Sequence, residues 1–174
     1  MSKRFIIVVD MQNDFITGPL GSAEAVKAVE NTRKLLEANH YERALFTRDT
    51  HYDDYLETAE GKKLPVPHCK YGDAGWSVVS NLIPYADIFI NKETFGFIDW
   101  IEELEYWSFD PAEDTIEICG VCTDICVVSN ALILKALYPE VPILVHASCC
   151  AGTSIAKHID ALSVMESCQI TITD

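Results

Sequence analysis

Short apolar runs of strand length alternate along this chain with stretches of helical periodicity, and that alternation restricts the fold more than any other feature. Phe5 to Asp10 opens with an unbroken apolar run, which needs cover on both faces if it forms a strand. Ser22 can cap a helix from about Ala23 to Asn39, where Ala25/Val26, Val29, Thr32/Arg33 and Leu35/Leu36 recur at helical spacing. Further strand-like runs are Ala44 to Thr47, Asp87 to Asn91, Thr115 to Cys119 (reaching Gly120), Pro142 to His146 and Cys168 to Thr173. Helical stretches are expected at Asp99–Trp107, Asp124–Tyr138 and Ser154–Ser167. Repeated βαβ units imply an α/β fold with a largely parallel sheet sandwiched between helices. With 174 residues and no linker or low-complexity segment, residues 1–174 read as one domain.

The chemistry-bearing residues stand where these runs end. FIIVV runs into Asp10, DIFIN into Lys92, and TIEICG into a helical pattern whose first turn holds Cys126. A cysteine there feels the positive end of the helix, and a neighbouring lysine would add to it; both favour a thiolate. Asp10 would be costly to desolvate unless paired or working, and it could take the thiol proton and return it to a leaving amine. Backbone amides at the start of that helix, such as those of Cys122 and Cys126, are natural donors to an oxyanion. Thr123 or Asp124 is the expected N-cap.

Between Thr50 and Gly75 periodicity fails, and a loop this long in a compact domain is usually functional. Asp49 and His51, two apart in an extended segment, point to one side, and His68 could close a facial set suited to Zn²⁺, Mn²⁺ or Fe²⁺. Glu57 and Glu60 are both candidates for an added oxygen ligand; spacing does not choose between them. Phe15 and Trp76 could stack on a flat ligand, whereas His158 and the vicinal pair Cys149-Cys150 read as structural.

The formal charge of −14 argues against nucleic acid or an anionic membrane as partner. The apolar run before Asp10 is too short for a secretion signal, and no run approaches a membrane span, so a cytoplasmic location with reduced thiols is expected. No GxGxxG, P-loop or G-x-S-x-G is present, and no organic cofactor is expected.

Four stretches, VVDMQNDF at 8–15, RDTH at 48–51 with PHC at 67–69, NKETFG at 91–96 and GVCTDICV at 120–127, resemble the isochorismatase-like cysteine hydrolases, which include nicotinamidases. The resemblance implies a six-stranded parallel sheet between helices and a triad of Asp10, Lys92 and Cys126. It further implies a cis peptide between Val121 and Cys122 shaping an oxyanion hole from the Cys122 and Cys126 amides. By the same resemblance Asp49, His51 and His68 hold a divalent metal, Phe15 and Trp76 wall the substrate pocket, and the chain assembles as a homodimer or homotetramer. Two features depart from nicotinamidases: the segment ETFGFIDW after Lys92 is shorter than their loop, and Asp73 stands where they commonly carry Thr. The expected activity is hydrolysis of a small planar amide, nicotinamide first, through a thioester. The alternatives are a ureido or carbamoyl amide, an isochorismate-type vinyl ether, or a non-catalytic metal- or ligand-binding member of the fold.

Overall fold

Phe5, Ile6, Ile7, Val8 and Val9 have no solvent exposure at all, a degree of burial that a strand reaches only when both faces of its sheet are covered. They lie in the middle of a six-stranded sheet in the computed structural model, which describes residues 2–174. In chain order the elements are β1 (Arg4–Val9), α1 (Asn13–Ile16), α2 (Ala23–Ala38), β2 (Arg43–Asp49), α3 (Ala59–Lys63), β3 (Ile88–Lys92) and α4 (Trp100–Tyr106). They continue with β4 (Thr115–Val121), α5 (Val128–Leu137), β5 (Ile143–Ala151), α6 (Ile155–Ser167) and β6 (Thr171–Thr173). The sheet runs β3-β2-β1-β4-β5-β6 and every neighbouring pair is parallel. This is the three-layer α/β/α arrangement anticipated from the alternating pattern, with α2 against β4 and β5 and α6 against β5 and β6.

Local chemistry explains where elements begin. Ser22 caps α2 by accepting from the Ala25 amide at 3.0 Å, and Ser154 caps α6 through the Lys157 amide at 3.2 Å. Gly120 has φ +134, and a Cβ there would come within 2.1 Å of the Val9 carbonyl oxygen. Only glycine permits that approach of β4 to β1. Beside it, between Ile118 and Gly120, the β4–β5 register shifts.

Several boundaries differ from expectation. β2 extends to Asp49, so this carboxylate sits on a strand end rather than in the loop. The region after it is not wholly irregular: a 3-10 turn spans Tyr55–Glu57, and Thr58 caps α3 through the Gly61 amide. β5 reaches Ala151, so Cys149 and Cys150 lie inside the strand instead of after it. Cys168 begins no strand; it is the exposed residue ending α6. Thr123–Val127 forms a π-helical turn before α5, and neither Thr123 nor Asp124 caps it. Their side chains instead bond His158 Nδ1 at 2.8 Å and the Thr153 amide and hydroxyl. Cys119 and Cys122 have C-x-x-C spacing, yet all seven cysteines are free.

One buried polar network lies inside the sheet. Glu117, in the middle of β4, accepts from Arg4 Nε at 2.5 Å, Arg4 Nη2 at 3.1 Å and Tyr41 Oη at 3.0 Å, and pairs with His146 Nε2 at 2.6 Å. Burial alone would raise its pKa, but the hydrogen bonds from His146 and Arg4 and the Arg4 charge outweigh it and hold the carboxyl at about 2.

Candidate active site

β1, β2 and β3 succeed one another towards one edge of the sheet, and β4, β5 and β6 towards the other. The reversal falls between β1 and β4, and ligands in open α/β sheets bind outside the strand ends at such a point. Asp10 follows β1, and Cys126 sits in the turn after β4. Lys92 ends β3, two strands from β1, and its long side chain reaches back across the end of β2.

The ammonium of Lys92 stands 2.6 Å from Asp10 Oδ2, 3.6 Å from Cys126 Sγ and 3.8 Å from Asp49 Oδ1. All four side chains are buried. Asp10 leaves the strand with φ 49, in the left-handed region that aspartate tolerates better than most residues. Thr47 Oγ1 donates to Asp10 Oδ1 at 2.7 Å and fixes the carboxylate. The Cys122 carbonyl accepts from the amides of Ile125 at 3.0 Å and Val127 at 3.1 Å, winding the wide turn that carries Cys126. The Val121–Cys122 peptide is cis.

Charge and burial compete at this centre. Burial pushes the Asp10 carboxyl up, and Lys92 pulls it back down. Burial also pushes the Cys126 thiol well up; the Lys92 charge lowers it, and Asp10 raises it again. The expected bias towards a resting thiolate is therefore outweighed: with water excluded, the sulfur keeps its proton until a base removes it. Burial works against the Lys92 ammonium too, but the charges of Asp10, Cys126 and Asp49 outweigh that and raise its pKa above the usual lysine value.

Next to this centre, Asp49, His51 and His68 offer ligand atoms that all lie within 4.8 Å of one another. His51 Nε2 is 2.8 Å from Asp49 Oδ2, and His68 Nε2 is 3.5 Å from it. The donor set suits a divalent cation on two further grounds. His51 Nε2 is buried, and its close approach to Asp49 Oδ2 lacks hydrogen-bond geometry; His68 Nδ1 bonds the Val66 carbonyl at 2.8 Å, which leaves Nε2 as its free lone pair. Glu60 Oε1 lies 3.6 Å from His68 Nε2 and 3.8 Å from His51 Nε2, whereas Glu57 is exposed and has no such approach. Gln12 had no role in the sequence reading, although it lies within VVDMQNDF. Its amide accepts from Asp49 N and donates to Asp49 O, both at 2.8 Å, clamping the strand end that presents the carboxylate.

A cavity of about 330 Å³ opens above Cys126 and is lined by Phe15, Asp49, His68, Phe95, Cys122 and Ile125 among others. Phe15 is thus in the wall, its ring 5.3 Å from that of His68. Trp76 is not. Its indole N–H donates to Thr50 Oγ1 at 2.9 Å, and its ring packs against Arg48 at 3.9 Å and Tyr71 at 4.8 Å. Phe95 and Ile125 take part in the wall instead. Sequence reasoning also passed over Asn130, which is fully buried. It bonds the Cys126 carbonyl at 2.8 Å, the Phe97 amide at 2.9 Å and the Trp100 indole at 3.0 Å.

Comparison with known proteins agrees with this architecture. The isochorismatase domain family model matches residues 4–174. The chain belongs to the isochorismatase family. A nicotinamidase/pyrazinamidase of Mycobacterium tuberculosis is 26% identical over 171 residues, covering 88% of this chain and 91% of the relative. Among solved structures, a nicotinamidase/pyrazinamidase from Bacillus subtilis superimposes with a TM-score of 0.84 at 23% identity, over 99% of this chain and all of its own. A pyrazinamidase of Pyrococcus horikoshii, solved in complex with zinc, has a TM-score of 0.78 at 24% identity, with 99% of each chain covered. The two solved structures share the fold described above.

Proposed function

We propose that this chain is a cysteine-dependent amidohydrolase that cleaves a small planar amide through a thioester, with nicotinamide as the first substrate to test. The observation that carries the reading is the buried Lys92 ammonium, 2.6 Å from Asp10 and 3.6 Å from the Sγ of Cys126, the residue of the three that lines the cavity. Asp10 takes the Cys126 proton as the sulfur attacks the carbonyl carbon; Lys92 holds the charged pair that results. Amides at the turn after β4, those of Cys122 and Cys126, receive the developing oxyanion. Asp10 then protonates the departing nitrogen, and water, deprotonated by Asp10, hydrolyses the thioester. The raised affinity of Asp10 for protons suits a group that must accept and return one in each half-reaction.

Asp49, His51 and His68 would hold a divalent metal (Zn, Mn or Fe), with Glu60 beside them; such an ion supplies a Lewis-acid centre that orients a ring nitrogen. Phe15 packs on the flat face of the substrate. Seven free thiols support a reducing, cytoplasmic setting. The family match across residues 4–174 supports reading the chain as one hydrolase domain. The exposed apolar residues Ile98, Ile155 and Ile159 support a homodimer or homotetramer, which sedimentation can measure.

Purified protein should release ammonia from nicotinamide, and Cys126→Ala should release none while staying folded. Bound metal should fall in His51→Ala and His68→Ala by elemental analysis. Absence of hydrolysis across a panel of small amides, with metal supplied, would overturn the reading.

A further inference from the structure

The open space above Cys126 does not stop at the first cavity. A second one of about 380 Å³ adjoins it, and the two share Ser22, Ala151, Gly152 and Thr153 in their linings. These shared side chains are small, so the partition between the cavities is low. Strand order sets the direction: Asp49 ends β2, Asp10 and Cys126 follow β1 and β4, and the partition residues Ala151 to Thr153 follow from β5. The Asp49–His51–His68 cluster and the second cavity therefore flank the thiol on opposite sides along the sheet edge.

A carbonyl carbon held over Cys126 Sγ carries an acyl group and a nitrogen that diverge from it. With the planar acyl group towards Asp49 and His68, the nitrogen faces the second cavity. A primary amide places only hydrogens there. Resting on the amidohydrolase reading, we infer that the enzyme also cleaves secondary amides, whose leaving amine crosses the Ser22–Thr153 partition into the second cavity. The chemistry of that cavity selects the amine. Glu24, Lys27, Ser154 and His158 line it with both signs of charge and with hydroxyl groups, which suits a short, uncharged, hydrogen-bonding tail such as a hydroxyalkyl group. The balance is that of the primary reaction. Sulfur bonds to the acyl carbon, the C–N bond breaks, the Cys126 proton passes through Asp10 to the amine, and water returns the acid.

The test compares nicotinamide with N-(2-hydroxyethyl)nicotinamide, reading nicotinate from both and ethanolamine from the second. Ser148 is exposed and lines only the second cavity, so Ser148→Phe fills that space without touching Asp10, Lys92 or Cys126. Lys27→Phe, also exposed and confined to that lining, is an independent filling variant should the first fail to fold. Wild type should cleave both amides. The filled variants should keep kcat/KM for nicotinamide and lose about tenfold or more for the hydroxyethyl amide, the scale of a pocket that no longer accepts its group. Cleavage of nicotinamide alone would overturn this inference and leave the amidohydrolase reading intact, whereas cleavage of neither, nor of any other amide in the panel of small amides, would overturn both. Equal kinetics for the two amides in folded, filled variants would show that the tail lies elsewhere, and that too would overturn it.

Discussion

Replacing Glu117 by Gln tests the electrostatics of the sheet interior without disturbing its shape. The carboxyl is 2% exposed, receives two hydrogen bonds from Arg4 and one from Tyr41, and pairs with His146. Its pKa is held at about 2 against an ordinary value of 4.5. That displacement corresponds to about 3 kcal/mol of stability. The Arg4 side chain is 40% exposed, so solvent screening reduces the figure to about 2 kcal/mol. Because the folded-state pKa is depressed, the contribution is complete above about pH 4.5 and is lost as pH falls through about 2. Urea unfolding at pH 7 should therefore place the Glu117→Gln midpoint roughly 1 M below wild type. At about pH 3 more than half of that gap should have closed. A difference at pH 7 under about 0.5 kcal/mol, or one that stays constant down to pH 3, would refute the reasoning.

Three further perturbations follow from named contacts. Lys92→Met leaves Asp10 and Asp49 buried without their cation, so denaturant unfolding should show a loss of about 3–5 kcal/mol along with loss of hydrolysis. Asn130→Ala strips the Trp100 indole and Phe97 amide of their acceptor; unfolding should show about 3 kcal/mol lost, and a loss under 1 kcal/mol would mean water has replaced the amide. Gln12→Ala frees the backbone of Asp49, and competition with a chelator should reveal metal affinity about 10–100-fold weaker with the fold retained.

Strand order aside, much of the fold is legible in the chain because its signals are local. Phe5–Val9 announces a doubly covered strand, and Ser22 and Ser154 stand at their caps. What escapes is decided by partners distant in sequence. Glu117 in TIEIC looks like a break in an apolar run; only Arg4, Tyr41 and His146, contributed by separate parts of the chain, make its burial tolerable. Trp76 reads as a ligand wall by type, but Thr50, Arg48 and Tyr71 occupy its polar edge and face. Glu60 could not be told from Glu57 until the turn at Tyr55–Glu57 and α3 rotated one carboxylate inward. The thiolate bias of Cys126 failed for a related reason, since desolvation depends on everything packed around the sulfur.

Asn130 gives this scaffold a particular consequence for engineering. One amide holds the carbonyl of Cys126 and also the backbone of Phe95, in the cavity wall, and of Phe97 just beyond it. A graft that exchanges the 93–98 segment to alter selectivity would thus tug on the nucleophile's own peptide. Such a transplant needs to carry its matching residue at position 130 as part of the same cassette.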